Sequence, residues 1–181
     1  MIRGLIGKIH NIENNELFFN VNGVIYQIYI SENTKKHIID LSKELDFYID
    51  ILEKISEVGY DLYGFIDMDE KRLFEKIIKI PKVGNKIALN VFNEFSPIEL
   101  IEKISIEDKK ELKKIKGFGE KGIVSLINQL KDESIDIDKR FLKLKDKLIE
   151  LGLKKEDFNE FIKNKKDMSD IQIVKEYLKN K

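Results

Sequence analysis

Apolar and polar residues alternate along the first third of the chain and then give way to spacings of three and four. Leu17, Phe19 and Val21 fall on one face of an extended segment, and Val24, Tyr26, Ile28 and Ile30 on one face of the next. Asn22-Gly23 lies between them, the strongest short signal for a two-residue type I′ hairpin, because both residues tolerate positive φ. LDFYIDIL (45–52) and YDLYGF (60–65) read as two further strands joined by a loop, EKISEVG, and the opening MIRGLIGKI as a fifth. Five short strands are the count of an OB-type β-barrel, with an open sheet as the alternative.

Beyond Phe65 the periodicity is helical. DEKRLFEKIIKI (69–80) places Leu73, Phe74, Ile77 and Ile80 on one face. Ser96-Pro97-Ile98-Glu99 is a capping box with Pro at the first helical position, and Ser105 followed by Asp108 is a weaker start signal of the same kind. After the polar stretch DESIDIDK (132–139), FLKLKDKLIELG predicts a helix that stops at Gly152. EDFNEFIK predicts another, and Ser169-Asp170-Ile171-Gln172 opens a last one, giving a small three-helix bundle. The chain therefore reads as an α+β multidomain protein: a β-barrel over 1–65, an all-α region over 66–132, a linker over 133–140 and a helical domain over 141–181.

The all-α region contains an internal repeat. KIIKIPKVGNKIALNVFNEF (76–95) aligns without gaps on ELKKIKGFGEKGIVSLINQL (111–130), an offset of 35 residues. Ile80 matches Ile115, Val83 matches Phe118, Gly84 matches Gly119, Lys86 matches Lys121 and Asn93 matches Asn128. Each copy reads as helix, glycine turn, then a second helix starting at the lysine. A glycine pair alone, as in IKGFGEK (115–121), fits a plain tight turn as well as it fits a phosphate cradle. Two turns that share their glycine and lysine favour the cradle: backbone amides at a helix start, cleared of side chains, meet an anion.

Charge and composition narrow the class. The net charge is zero, yet KIIKIPKVGNK (76–86) has four lysines and no acid, and KKELKKIKGFGEK (109–121) has six lysines and two acids. Residues 1–66, by contrast, carry 6 Lys/Arg against 10 Asp/Glu, so a neutral total conceals an acidic barrel beside basic turns. With no cysteine and only His10 and His37, neither a thiolate nor a His-based metal site is expected, and no cofactor is implied. No apolar run approaches a membrane span, and the N-terminus does not read as a signal peptide, so a soluble cytoplasmic protein is expected. There is no P-loop, so any ATP hydrolysis must come from a partner.

The repeated turn looks like the helix-hairpin-helix motif, h-x-G-h-G in outline. With the barrel before it and the helical tail after it, the chain resembles the RuvA family, the Holliday-junction-binding subunits of the bacterial branch-migration complex. The strings that carry the resemblance are MIRGLIGKI, NGVIYQIYI, LYGF (62–65), RLFEKIIKIPKVGNKIAL, IKGFGEKGIVSLINQLKD and LIELGLKKEDF. The resemblance implies an OB-fold barrel, a tandem helix-hairpin-helix domain and a tail that docks the RuvB hexameric ATPase. It further implies a homotetramer, or a pair of tetramers, laid on a four-way DNA junction during recombination, DNA repair and the SOS response, with the RuvC resolvase as a further partner.

By position, Lys82, Val83, Gly84, Asn85 and Lys86 would bind DNA in the first hairpin, and Gly117, Phe118, Gly119, Glu120 and Lys121 in the second. Three departures stand out: Lys82 replaces a glycine, which predicts a less open first turn; Ile123 is the counterpart of the small Ala88; Ser125 stands where a basic residue is expected, leaving phosphate contact to Lys114 or Lys116. Glu53 and Glu57, in the loop LEKISEVGY (52–60), are candidates for an acidic pin that keeps strands apart at the fourfold centre; two solvated loop glutamates are the alternative. Leu148, Leu151, Leu153 and Leu178 are candidates for the RuvB surface, with a small domain's core as the alternative. Two other functions fit the motif: a nuclease or glycosylase-like repair enzyme using Asp61 or Asp67, and a helical interaction module whose turns merely connect helices.

Overall fold

The computed structural model describes residues 1–39, 46–57, 59–133, 144, 148–154, 161–162, 165, 168 and 170–179. The chain forms two compact units, Met1–Glu133 and Ser134–Lys181. In the first, β1 (Gly4–Glu13), β2 (Glu16–Val21), β3 (Val24–Tyr29), β4 (Phe47–Ser56) and β5 (Gly59–Phe65) close a barrel in the order β1-β2-β3-β5-β4. Every pairing is antiparallel except β3 with β5, which meet in parallel at Tyr29 and Tyr63. Asn22 and Gly23 have φ of 51° and 90°, as a type I′ turn requires. The face read from the alternation points inward: Leu17, Phe19, Ile28 and Ile30 are fully buried. Each such side chain contributes about 1.5–3 kcal/mol of transfer free energy. Val24, at the hairpin end, is 55% exposed because the strand there outruns the core.

Two local readings change. Strand β4 runs on to Ser56, which pairs with Gly59, so most of the expected loop EKISEVG is strand. Between β3 and β4 lies an unexpected helix, α1 (Glu32–Ile39), capped by the Ser31 Oγ, which accepts from the Thr34 amide at 2.9 Å. Its buried residues include Asn33, Thr34 and His37, and the first two close on a carboxylate from beyond β4 and β5.

That carboxylate is Glu70, in α2 (Met68–Ile77). It is fully buried and accepts from the Ser31 Oγ at 2.6 Å, the Asn33 Nδ2 at 2.5 Å and the Thr34 Oγ1 at 3.3 Å. A buried carboxylate is tolerated only with donors of this kind. Burial still pushes its carboxyl pKa up to about 7, against the downward pull of the three donors. Beside this network an aromatic seam joins barrel and helix: Tyr29 to Tyr63 at 5.5 Å, Tyr63 to Phe74 at 5.5 Å and Phe65 to Phe74 at 5.1 Å between ring centroids.

Four more helices follow: α3 (Asn85–Glu94), α4 (Pro97–Ser105), α5 (Lys109–Leu112) and α6 (Glu120–Leu130). The capping box at Ser96 and Glu99 forms as expected. The next start is set by Asp108 rather than Ser105: the Asp108 carboxylate accepts from the Glu111 amide at 3.1 Å, while Ser105 is the last residue of α4 and donates to the Glu102 carbonyl.

In the second unit, Leu144, Leu148, Ile162 and Ile173 form a core. Gly152 stops its helix as predicted, with φ of 103° and the paired bonds of a Schellman end, Leu153 N–H to the Leu148 carbonyl and Gly152 N–H to the Ile149 carbonyl, both 2.9 Å. A terminal helix, α7, spans Asp170–Lys179. The linker expected over 133–140, beyond Glu133 itself, and the helix start at Ser169 lie outside the described residues. Among the described residues no helix is long and apolar enough to cross a membrane.

Candidate nucleic-acid interface

The repeat is a repeat of burial as well as of letters. Ile80 and Ile115 are 4% and 2% exposed, Ala88 and Ile123 0% and 1%, and Val91 and Leu126 are fully buried. Ile123 therefore does what Ala88 does, with a larger side chain accommodated in the same inward position. The turns match bond for bond. Val83 N–H donates to the Ile80 carbonyl at 3.0 Å and Phe118 N–H to the Ile115 carbonyl at 3.3 Å. Ala88 N–H donates to the Gly84 carbonyl at 2.9 Å and Ile123 N–H to the Gly119 carbonyl at 3.0 Å. Phe118 is buried as the hairpin's anchor, while Val83 is half-buried.

Gly84 is the N-cap of α3, with φ −81° and ψ 168°, and Gly119 the N-cap of α6, with φ −79° and ψ 176°. Neither supplies a side-chain bond to the first-turn amides, and a Cβ built on either meets nothing within 4 Å. Any residue adopts this backbone, so glycine here serves neither conformation nor packing. It leaves a gap in front of amides that have no intrahelical acceptor and carry the positive end of the helix dipole. The turn's strained position is two residues earlier. Lys82 has φ of 68° and its repeat partner Gly117 has φ of 91°. The first turn thus has the same left-handed geometry as the second, despite the missing glycine.

Folding redistributes the charge. Lys76 pairs with Glu133, which also takes Arg72 at 2.5 Å. Lys113 pairs with Glu120 at 2.8 Å and Lys114 with Glu111 at 2.7 Å. Lys82, Lys86, Lys116 and Lys121 are exposed and pair with no carboxylate among the described residues. Along the chain they flank the two open caps, Lys82 and Lys86 two residues either side of Gly84, Lys116 three before and Lys121 two after Gly119. Lys114, one of two candidates to replace the missing base at Ser125, is thus already paired, whereas Lys116 is not; Ser125 itself bonds back to the Lys121 carbonyl at 3.0 Å. The Glu120 carboxylate is held below its ordinary range by its hydrogen bond with Lys113, which makes it a partner of protein rather than of phosphate. Asn85 turns its side chain to the Tyr63 hydroxyl, leaving only its amide for a ligand. Burial, reinforced by Asp61, pushes that phenol up to about 12.

The remaining candidates separate. Glu53 lies within β4, not in a loop, and its carboxylate accepts from the Ile2 amide at 2.7 Å; it secures the start of the chain. Glu57 is exposed at the end of the β4–β5 hairpin. Leu148 is fully buried in the second unit's core and presents no free surface; Leu153, half-buried, packs against that core, Leu151 is half-buried and Leu178 is 50% exposed. Asp67 caps α2, accepting from the Asp69 amide at 2.8 Å, so it has a structural task, while the Asp61 charge faces the Tyr63 phenol. Sequence reasoning missed Asn90, whose Nδ2 donates to the Lys116 carbonyl at 3.0 Å; its only signal was a spacing of three from Asn93.

Comparison with known proteins agrees with this geometry. A RuvA N terminal domain model matches residues 1–64, and a SAM-like helix-hairpin-helix tandem model matches residues 74–132. A Holliday junction branch migration complex subunit RuvA of Helicobacter acinonychis is 34% identical over 98% of this chain and 97% of its own length. Its counterpart in Thermosipho africanus is 31% identical over 84% of this chain and 82% of its own length, and that of Nautilia profundicola is 37% identical over 72% and 68%. With a barrel closed as described, duplicated hairpins behind it and full-length relatives above 30% identity, the chain belongs to the RuvA family of Holliday junction branch migration complex subunits.

Proposed function

We propose that the protein binds four-way DNA junctions without regard to base sequence, as a homotetramer in the cytoplasm, and orients the RuvB ATPase that drives branch migration. The observation that carries this is the pair of glycine-capped helix starts, alike in φ and ψ and alike in the open space before them. Each offers amides and a helix dipole to a phosphate oxygen, with Lys86 or Lys121 two residues after the cap. Charge-assisted bonds of this kind contribute roughly 1.5–3 kcal/mol each. Contacts to phosphate alone position a protein on DNA and read no bases. Glu57, at its hairpin end, is the remaining acidic-pin residue, repelling phosphates from the centre. The tail presents Leu178 and Leu151 to RuvB.

Gly119→Val tests the assignment. Its Cβ enters open space and its φ suits any residue, so the fold is retained, while the branched side chain fills the phosphate's place. Mobility-shift titrations with a four-way junction should show a loss of at least about tenfold in affinity, the value of one or two charge-assisted bonds. Wild-type binding by a folded Gly119→Val protein would refute the assignment. Four subunits with two hairpins each give about eight phosphate clusters, hence a log–log salt slope of about −7 for the unaltered protein.

A further inference from the structure

The two caps lie on separate hairpins, and something must fix their separation. One face of α3 does so. Ile87, Asn90 and Asn93 follow one another at a spacing of three along that helix. A Cβ built on Gly117 would lie 3.1 Å from the Ile87 Cγ1, so the second turn's backbone rests directly on the first hairpin. One step along, the Asn90 Nδ2 donates to the Lys116 carbonyl at 3.0 Å, the residue before Gly117. The Asn90 Oδ1 in turn accepts from the Asn93 Nδ2 at 3.1 Å. The Asn93 Oδ1 accepts twice, from the Asn15 Nδ2 at 3.1 Å and from the Glu32 amide at 2.9 Å. Asn15, in the turn between β1 and β2, spends its other hydrogen on the Ile30 carbonyl at 3.1 Å.

These bonds form an unbroken run of side-chain amides from the barrel, through α3, to the turn of the second hairpin. Along the run each amide is tied to its neighbours, which fixes both its orientation and theirs. Asn128, the repeat partner of Asn93, is exposed and takes no part in the run. The run therefore does not follow from the duplication; it belongs to the seam between the copies.

We infer that Asn90 and Asn93 are positioning residues for DNA binding: they hold the second glycine cap at a fixed distance and angle from the first, so that both meet one stretch of phosphate backbone together. This rests on the phosphate-binding role of the caps. Preorganisation of this sort raises affinity without any new bond to the ligand.

The experiment is a double-mutant cycle read by junction binding, using Asn90→Ala and Gly119→Val. Alanine favours the helix, so Asn90→Ala keeps the fold, checked by a melting temperature near that of the unaltered protein. Asn90→Ala alone should weaken junction binding by about tenfold, within the range of coupling between residues of one network. In the Gly119→Val background, where the second cap no longer takes phosphate, the same change should cost less than about twofold, since there is nothing left to position. Asn93→Ala, which cuts the run at its barrel end, should behave in the same way. Equal losses in both backgrounds, or none in either, overturn the inference while leaving the cap assignment intact. Should Gly119→Val by itself cost nothing, the cap assignment and the inference fall together.

Discussion

The first hairpin stores strain at Lys82, and its size can be worked out. Lys82 is exposed, pairs with no carboxylate among the described residues and has φ of 68°, in the left-handed region. That region costs an L-residue roughly 1–2 kcal/mol relative to the right-handed one. Glycine escapes this cost but returns roughly 0.5–1 kcal/mol through the added freedom of its unfolded chain. Lys82→Gly should therefore stabilise the protein by about 0.5–1 kcal/mol, a rise of about 2–4 °C in melting temperature for a unit of this size. Lys82→Ala removes the same charge and keeps the strain, so it isolates the backbone effect. Both variants should make the salt dependence of junction binding shallower, by about 1 in slope for every lysine that no longer meets a phosphate, because both delete one cation beside the first cap. Calorimetry of the two variants in one buffer is the assay. If Lys82→Gly melts no higher than Lys82→Ala, the strain argument is wrong.

The converse change at the repeat partner, Gly117→Ala, meets a φ of 91° and an Ile87 Cγ1 3.1 Å from the new Cβ; urea unfolding should show a loss of about 1–3 kcal/mol, and an unchanged midpoint would contradict the geometry. Glu70 has a folded pKa of about 7 against an ordinary value of 4.5, so the fold favours its protonated form: the stabilisation is complete below about pH 4.5 and is lost as pH rises through about 7. Glu70→Gln, a neutral stand-in that Asn33 accommodates by turning its own amide, should abolish a fall on the order of 3 kcal/mol across that window. Chemical denaturation at several pH values measures it, and equal pH slopes for both proteins would count against the assignment.

How much of this was legible depended on where burial was apolar. The barrel strands that line the core were visible because Leu17, Phe19, Ile28 and Ile30 alternate and are buried. Helix α1 was not, because besides Ile38 what it buries is polar, Asn33, Thr34 and His37, and its partner Glu70 lies far along the chain; one apolar residue leaves no hydrophobic period. The end of β4 was invisible for the opposite reason. Its Ile55 is 84% exposed, so the strand continues without a buried face to mark it. Ser105 followed by Asp108 reads as one weak start signal, but α4 runs through Ser105, so Asp108, itself a good capping residue, takes the cap. In the candidate interface, the duplicated glycines and lysines were readable as a pattern. What the pattern did not reveal was division of labour: Gly117 relieves strain, Gly119 leaves space, and Asn85 and Glu120 are engaged within the protein. Nor did local lysine counts show that Glu133 folds back onto Lys76 and Arg72.

The bare caps at Gly84 and Gly119 set thermal robustness against ligand access. An aspartate installed at either position would cap its helix and gain about 0.3 kcal/mol. Its carboxylate would occupy the amides from within, a tethered anion competing with the external one. A directed-evolution campaign selecting only for heat resistance would thus accept such a change and yield a sturdier protein that inhibits itself.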